Sequence, residues 1–131
     1  MGRCFPGDAG IPVGPAMSME AVLFDLDQTL LDRDRSLAGF LQWQTAGMLR
    51  ADLHDPDAFM DRFLALDHNG RVWKDAVYRQ LIAEFGLRSW AMEELLAVYE
   101  TTFCAFCEPR SGVDDALGEL KTHYRLGLIS N

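Results

Sequence analysis

Two short apolar runs, one near each end of a long helical stretch, constrain this chain more than any other feature. Residues 21–26 (AVLFDL) are rich in strand formers and bounded by acids; residues 125–131 (RLGLISN) repeat that character about a hundred residues later. Apolar runs of this length, without alternation, are the pattern of strands buried in a parallel sheet. Parallel neighbours need a crossover, usually helical, so the fold class is α/β.

Between the two runs, apolar residues recur at helical spacing. Leu37, Phe40, Leu41 and Met48 mark a first helix. Asp55 and Pro56 then supply an N-cap carboxylate and a first-turn proline, and Phe59, Phe63 and Leu66 carry the stripe onward. Asn69-Gly70 is a turn. Trp73, Ala76, Val77, Gln80 and Leu81 line a third helix that stops at Gly86. Ser89 is the expected N-cap of a fourth, whose stripe runs through Met92, Leu95, Leu96, Tyr99, Phe103 and Phe106. Pro109 and Gly112 break that pattern before Val113, Ala116, Leu117, Leu120 and Tyr124 mark a fifth helix. Four helices exceed what one crossover needs, so about seventy residues read as an insertion.

Composition narrows the function. Of 131 residues 49% are hydrophobic, with eight Phe and three Trp, which argues against intrinsic disorder. Twelve Lys+Arg against twenty Asp+Glu leave a net charge of -8 and no basic face to neutralise a run of phosphates. Neither nucleic acid nor an anionic membrane is an expected partner. No apolar run approaches the roughly 20 residues that span a bilayer. Three cysteines make no complete disulfide framework, so the expected compartment is the reducing cytoplasm. Residues 1–18 hold four Gly and three Pro without the apolar segment of a signal peptide; they read as a disordered tail, with Met19 a candidate initiator.

The chemistry concentrates in LFDLDQTL, residues 23–30. Asp25 and Asp27 lie two apart where a strand opens into a loop, and two carboxylates there repel unless a cation sits between them. Hard oxygen ligands suit magnesium. One carboxylate can attack a phosphoryl group while the other moves a proton, and open α/β sheets bind their ligands at the carboxyl ends of strands. The structural alternative is that both acids merely end a strand and cap a turn, the commoner fate of an isolated Asp-x-Asp.

The context favours chemistry. FDLDQTL, with Gln28 where glycine is commoner, resembles the first motif hhhhDxDx[TV]L of the haloacid dehalogenase (HAD) superfamily, and LGLISN resembles its second, a strand ending in Ser or Thr. The resemblance covers residues 19–131 and extends to the phosphoglycolate phosphatase-like subgroup. It implies a HAD-like Rossmannoid core, partial here (residues 19–34 and 107–131), with an α-helical cap inserted at residues 35–106. It further implies a magnesium-dependent phosphomonoesterase acting on a small phosphorylated metabolite. Asp25 is then the nucleophile that forms an aspartyl-phosphate, and Asp27 the general acid and base. Magnesium (Mg2+) is held by the Asp25 carboxylate and the Asp27 backbone carbonyl. Ser130 binds the transferring phosphoryl with Asn131 beside it, and Thr29 supports the loop. Such a site works by positioning and charge neutralisation. A haloacid dehalogenase lacks the second aspartate, so Asp27 favours the phosphohydrolase.

The family site also draws on a later Lys and a later acidic pair. Only Lys74 and Lys121 occur, both before the second motif, and Glu93-Glu94 and Asp114-Asp115 sit at helix starts, where acids favour the dipole. The expectation is a fragment of a longer enzyme, with little catalysis of its own; a non-catalytic HAD-like binding module is the alternative. Two parallel strands alone would leave sheet edges and apolar surface open. Oligomeric state is not legible.

Other features read as structural. Cys104 and Cys107 form a Cys-x-x-Cys without a second half for zinc. His54, His68 and His123 have no ligand spacing to one another. Trp43, Trp73 and Trp90 are expected in the cap core rather than stacked on substrate. Arg33, Arg35 and Arg71 are within reach of an anionic substrate, although a solvated face is the default.

Overall fold

A computed structural model describes residues 18–26 and 28–129. Asp27, Ser130, Asn131 and all but the last residue of the expected tail lie outside the described residues. The chain is mixed α/β. Strand β1 (Ala21–Asp25) pairs in parallel with β4 (Arg125–Ile129), in a register that sets Ala21 against Arg125 and Asp25 against Ile129. A short antiparallel ribbon joins β2 (Leu31–Asp32) to β3 (Glu108–Pro109). Between the two halves of that ribbon stand four helices, and α5 (Val113–Leu120) leads back to β4.

Caps and stops explain most helix boundaries. Asp32 caps α1 (Arg33–Ala46) by accepting from the Arg35 N–H at 3.0 Å. Asp55 caps α2 (Pro56–Asp67) by accepting from the Ala58 N–H at 3.0 Å, with Pro56 in the first turn. Helix α2 ends in three successive left-handed residues, His68, Asn69 and Gly70 (φ 47°, 57° and 79°). Gly86, at φ 63°, terminates α3 (Lys74–Phe85).

Helix α4 (Met92–Thr102) begins at Ala91 rather than at Ser89. The loop before it is held otherwise: the Trp90 indole N–H donates to Asp52 at 2.9 Å, and its backbone N–H to Leu87. Glu93 and Glu94 occupy the first turn of α4 and Asp114 and Asp115 that of α5, as read. The Phe103–Phe106 segment is a 3-10 turn rather than more α-helix, and Met48 falls beyond the end of α1.

The helices pack neighbour on neighbour, and the 3-10 turn closes back on α1. Phe40 is the hub: its ring meets Tyr99, Phe103 and Phe106 edge-on at 5.3, 5.9 and 5.8 Å. Such pairs contribute about 0.5–1.5 kcal/mol each beyond area burial. The buried polar pair Gln44 and Tyr78 satisfies itself across α1 and α3 at 3.1 Å, and burial pushes the Tyr78 phenol well above its ordinary range.

Three expectations are corrected here. The strands are parallel but β1 is not buried: Leu23 is 63% exposed and Leu128 on β4 54%, because among the described residues each strand has a single neighbour. Trp73 is 84% exposed and Trp43 42%, so neither is a core residue; Trp73 precedes the first turn of α3 and points outward. Arg33 is buried, not solvated, because Asp67 pairs with it. No helix among the described residues is long and apolar enough to cross a membrane.

Candidate active site

Parallel pairing sends the carboxyl ends of β1 and β4 to the same side of the sheet. Asp25 is the last residue of β1, and its register partner Ile129 is the residue before Ser130. The Asp25 carboxylate is exposed and, among the described residues, makes no ion pair.

The loop that follows is closed locally and then pinned from a distance. The N–H groups of Leu30 and Leu31 both donate to the Leu26 carbonyl, at 3.1 and 3.0 Å. Gln28 takes φ 60°, the left-handed region in which a side chain costs about 1–2 kcal/mol and glycine costs nothing. Its carbonyl accepts from the Arg110 guanidinium at 2.7 Å, and its side-chain oxygen accepts from the Arg33 N–H at 3.3 Å. Thr29 is exposed in the same turn. Arg110, placed just beyond β3, thus ties the returning chain to the motif loop.

Beside that loop lies a charged cluster. The Asp67 carboxylate accepts from the Arg33 guanidinium at 2.5 Å, from the Lys74 ammonium, and from the Gly70 N–H at 2.8 Å. Burial pushes the Asp67 carboxyl up, but hydrogen bonds and charge from Lys74 and Arg33 outweigh it and hold it below the usual carboxylate range. Gly70 is needed twice over: its φ is 79°, and a Cβ there would meet the Arg33 guanidinium at 3.0 Å. Lys74 Nζ also lies 5.5 Å from the centre of the Tyr99 ring, within cation–π range.

Two cations share one carboxylate here, so the cluster keeps a positive surplus. It faces a cleft of about 740 Å3 whose wall includes Gln28, Arg33, Arg71, Trp73, Lys74 and Tyr99. A smaller cleft of about 250 Å3 adjoins it, shares Trp73, Lys74 and Tyr99, and adds Leu96 and the acids Asp75 and Glu100.

Of the residues read from the sequence, Asp25 and Thr29 stand at one end of β1 and its loop; Asp27, Ser130 and Asn131 lie outside the described residues. Among the described residues no three His, Cys, Asp or Glu side chains gather as a metal site. The Cys107 thiol donates to the Phe103 carbonyl at 3.7 Å, which fits a structural role. The sequence reading passed over Asp67 and Arg110. Asp67 carried a signal, since an acid at a helix C-terminus opposes the dipole unless a cation answers it.

No family model matches this chain, and no curated protein matches it significantly.

Proposed function

We propose that this chain carries the nucleophile of a HAD-type, magnesium-dependent phosphomonoesterase acting on a small phosphorylated metabolite. The observation that carries the reading is the parallel register, with Asp25 ending β1 opposite the residue that precedes Ser130. The left-handed Gln28 adds support, because it stands where the resembled motif commonly has glycine. In this reading α1–α4 are the cap over a Rossmannoid core to which β1, α5 and β4 belong, and the β2–β3 ribbon is the hinge between them.

The chemistry follows from the acids. A carboxylate oxygen of Asp25 attacks phosphorus in line with the ester oxygen; the P–O ester bond breaks and an acyl phosphate forms. Asp27, as acid, protonates the departing oxygen; as base, it then takes a proton from the water that attacks phosphorus and restores Asp25. Ser130 and Asn131 hold the phosphoryl oxygens by hydrogen bonding, and Thr29 steadies the loop. The donor set suits magnesium: the exposed Asp25 carboxylate, which makes no ion pair among the described residues, is a hard oxygen ligand, and this ion keeps several of its waters. The Asp25 carboxylate and the Asp27 carbonyl would hold it, and its charge would offset that of the phosphoryl group.

The test is hydrolysis of an aryl phosphate by the protein expressed from its complete reading frame, with magnesium and with EDTA. Turnover is expected with the metal only, and Asp25→Asn should lower it on the order of a thousandfold or more with circular dichroism unchanged. Undiminished turnover in Asp25→Asn removes this residue from the mechanism. Loss of hydrolysis under every condition, with phosphate analogues still binding, favours a non-catalytic binding module.

A further inference from the structure

We infer that the cleft between the α2–α3 turn and the loop after β1 receives a flat aromatic ring, so that the ligands of this protein are aryl or heteroaryl phosphates. The inference rests on the phosphohydrolase reading only for what is done to the ligand; the ring site stands on the cleft itself.

Trp73 is the first observation. At 84% exposed it is the most exposed large hydrophobic residue among those described, although it lies beside a well-buried helix. Burying such a side chain would stabilise the fold, and the fold forgoes this. Its position is not an isolated surface accident. Trp73 belongs to the walls of both clefts, the polar one of about 740 Å3 and the more apolar one of about 250 Å3. Tyr99 is in both walls as well, and Leu96 in the smaller, so the indole has apolar and aromatic surface around it. The larger volume is in the range of small-molecule sites.

Charge is the second observation. In a chain of net charge -8, Arg33, Arg71 and Lys74 all line one cleft, and two of them, Arg33 and Lys74, share the carboxylate of Asp67. Arg71 is exposed and, among the described residues, has no ion-pair partner. The surplus suits an anion and repels a cation. Helix α3 opens onto the same cleft without a side-chain cap, and Asp75 in its first turn offsets part of the positive potential of its first N–H groups.

Reach is the third. Gln28 is in the wall of the larger cleft and is three residues from Asp25, a span of at most about 11 Å. The wall of that cleft at Gln28 is therefore close in the chain to Asp25.

The test is binding, read by calorimetry on the unmodified chain, of phenylphosphonate against methylphosphonate, which share a headgroup and differ by the ring. Phenylphosphonate is expected to bind about five- to tenfold more tightly. Trp73→Ala should erase that preference and Trp73→Phe should keep most of it, both with an unchanged urea midpoint because the side chain is exposed. Equal affinities in the parent protein, or a preference that survives Trp73→Ala, overturn the ring site. A preference that depends on Trp73, with no hydrolysis of phenyl phosphate by the protein expressed from its complete reading frame, supports the ring site and overturns the phosphohydrolase reading instead.

Discussion

Between Leu37 and Leu95 the helices bury Phe40, Phe59, Phe63, Leu41 and Leu81 completely, while the β1–β4 sheet leaves Leu23, Leu128 and Ile129 more than half exposed. Every core hydrophobic residue among those described falls in the first region, and none comes from β1, α5 or β4. The helices surround Phe40 and Phe63 on several sides, whereas each strand has one neighbour among the described residues. Stability and chemistry are therefore separated in this chain. The helices hold the packing, and the sheet holds the carboxylate on which the functional reading rests. Arg33, Asp67 and Lys74 join the two, since the same arginine follows the motif loop in sequence and is buried among the helices.

The largest effect should come from truncating the packed region. Phe63→Ala is expected to cost about 3–5 kcal/mol in urea unfolding, and Leu128→Ala less than about 0.5 kcal/mol. Comparable losses at both positions would erase the contrast. Next comes Asp67→Ala, which strands the buried Arg33 and the partly buried Lys74 and should cost about 3 kcal/mol.

That contribution has a pH signature. The folded carboxyl lies below its ordinary value, so its stabilisation is complete above the unfolded pKa near 4 and drains away as pH falls through the folded value. The Glu84 carboxyl, brought down to about 2 by the Arg62 guanidinium at 2.7 Å and by Gln80, adds to the same acid loss. Urea midpoints of the parent and Asp67→Ala proteins should thus converge as pH drops from 5 toward 2; a constant gap would contradict the ion-pair account. The smallest effect is on the motif loop. Gln28→Val should destabilise by about 1–2 kcal/mol, whereas Gln28→Gly should stay within about 1 kcal/mol of the parent. Equal costs would show that the left-handed turn is not populated.

Much of this contrast was legible in the sequence. The apolar runs gave both strands, and Asp55-Pro56, Asn69-Gly70 and Gly86 marked helix ends, because caps and turns depend on a few local residues. Burial was harder to read, because it depends on neighbours. Val22 and Phe24 resemble residues of a central strand, yet among the described residues β1 pairs with β4 alone. Trp73 shares helical spacing with Val77 and Leu81, but it sits before the first turn, where the stripe no longer faces the core. Long-range polar partners left almost no local trace: Arg110 reaches Gln28 across 82 positions and Arg33 reaches Asp67 across 34. In the candidate site Asp25 was legible, whereas the cleft beside it was not, since its walls come from three separate stretches of chain.

The central claim is that Asp25 forms an acyl phosphate, and chemical trapping tests it most directly. The protein from its complete reading frame would be quenched in acid during turnover of a phosphate ester, reduced with borohydride, and mapped by peptide mass spectrometry. The account predicts homoserine at position 25, the product of reducing an aspartyl-phosphate, and an unmodified peptide in Asp25→Asn. Turnover with position 25 unmodified, or with the label on another residue, would contradict it.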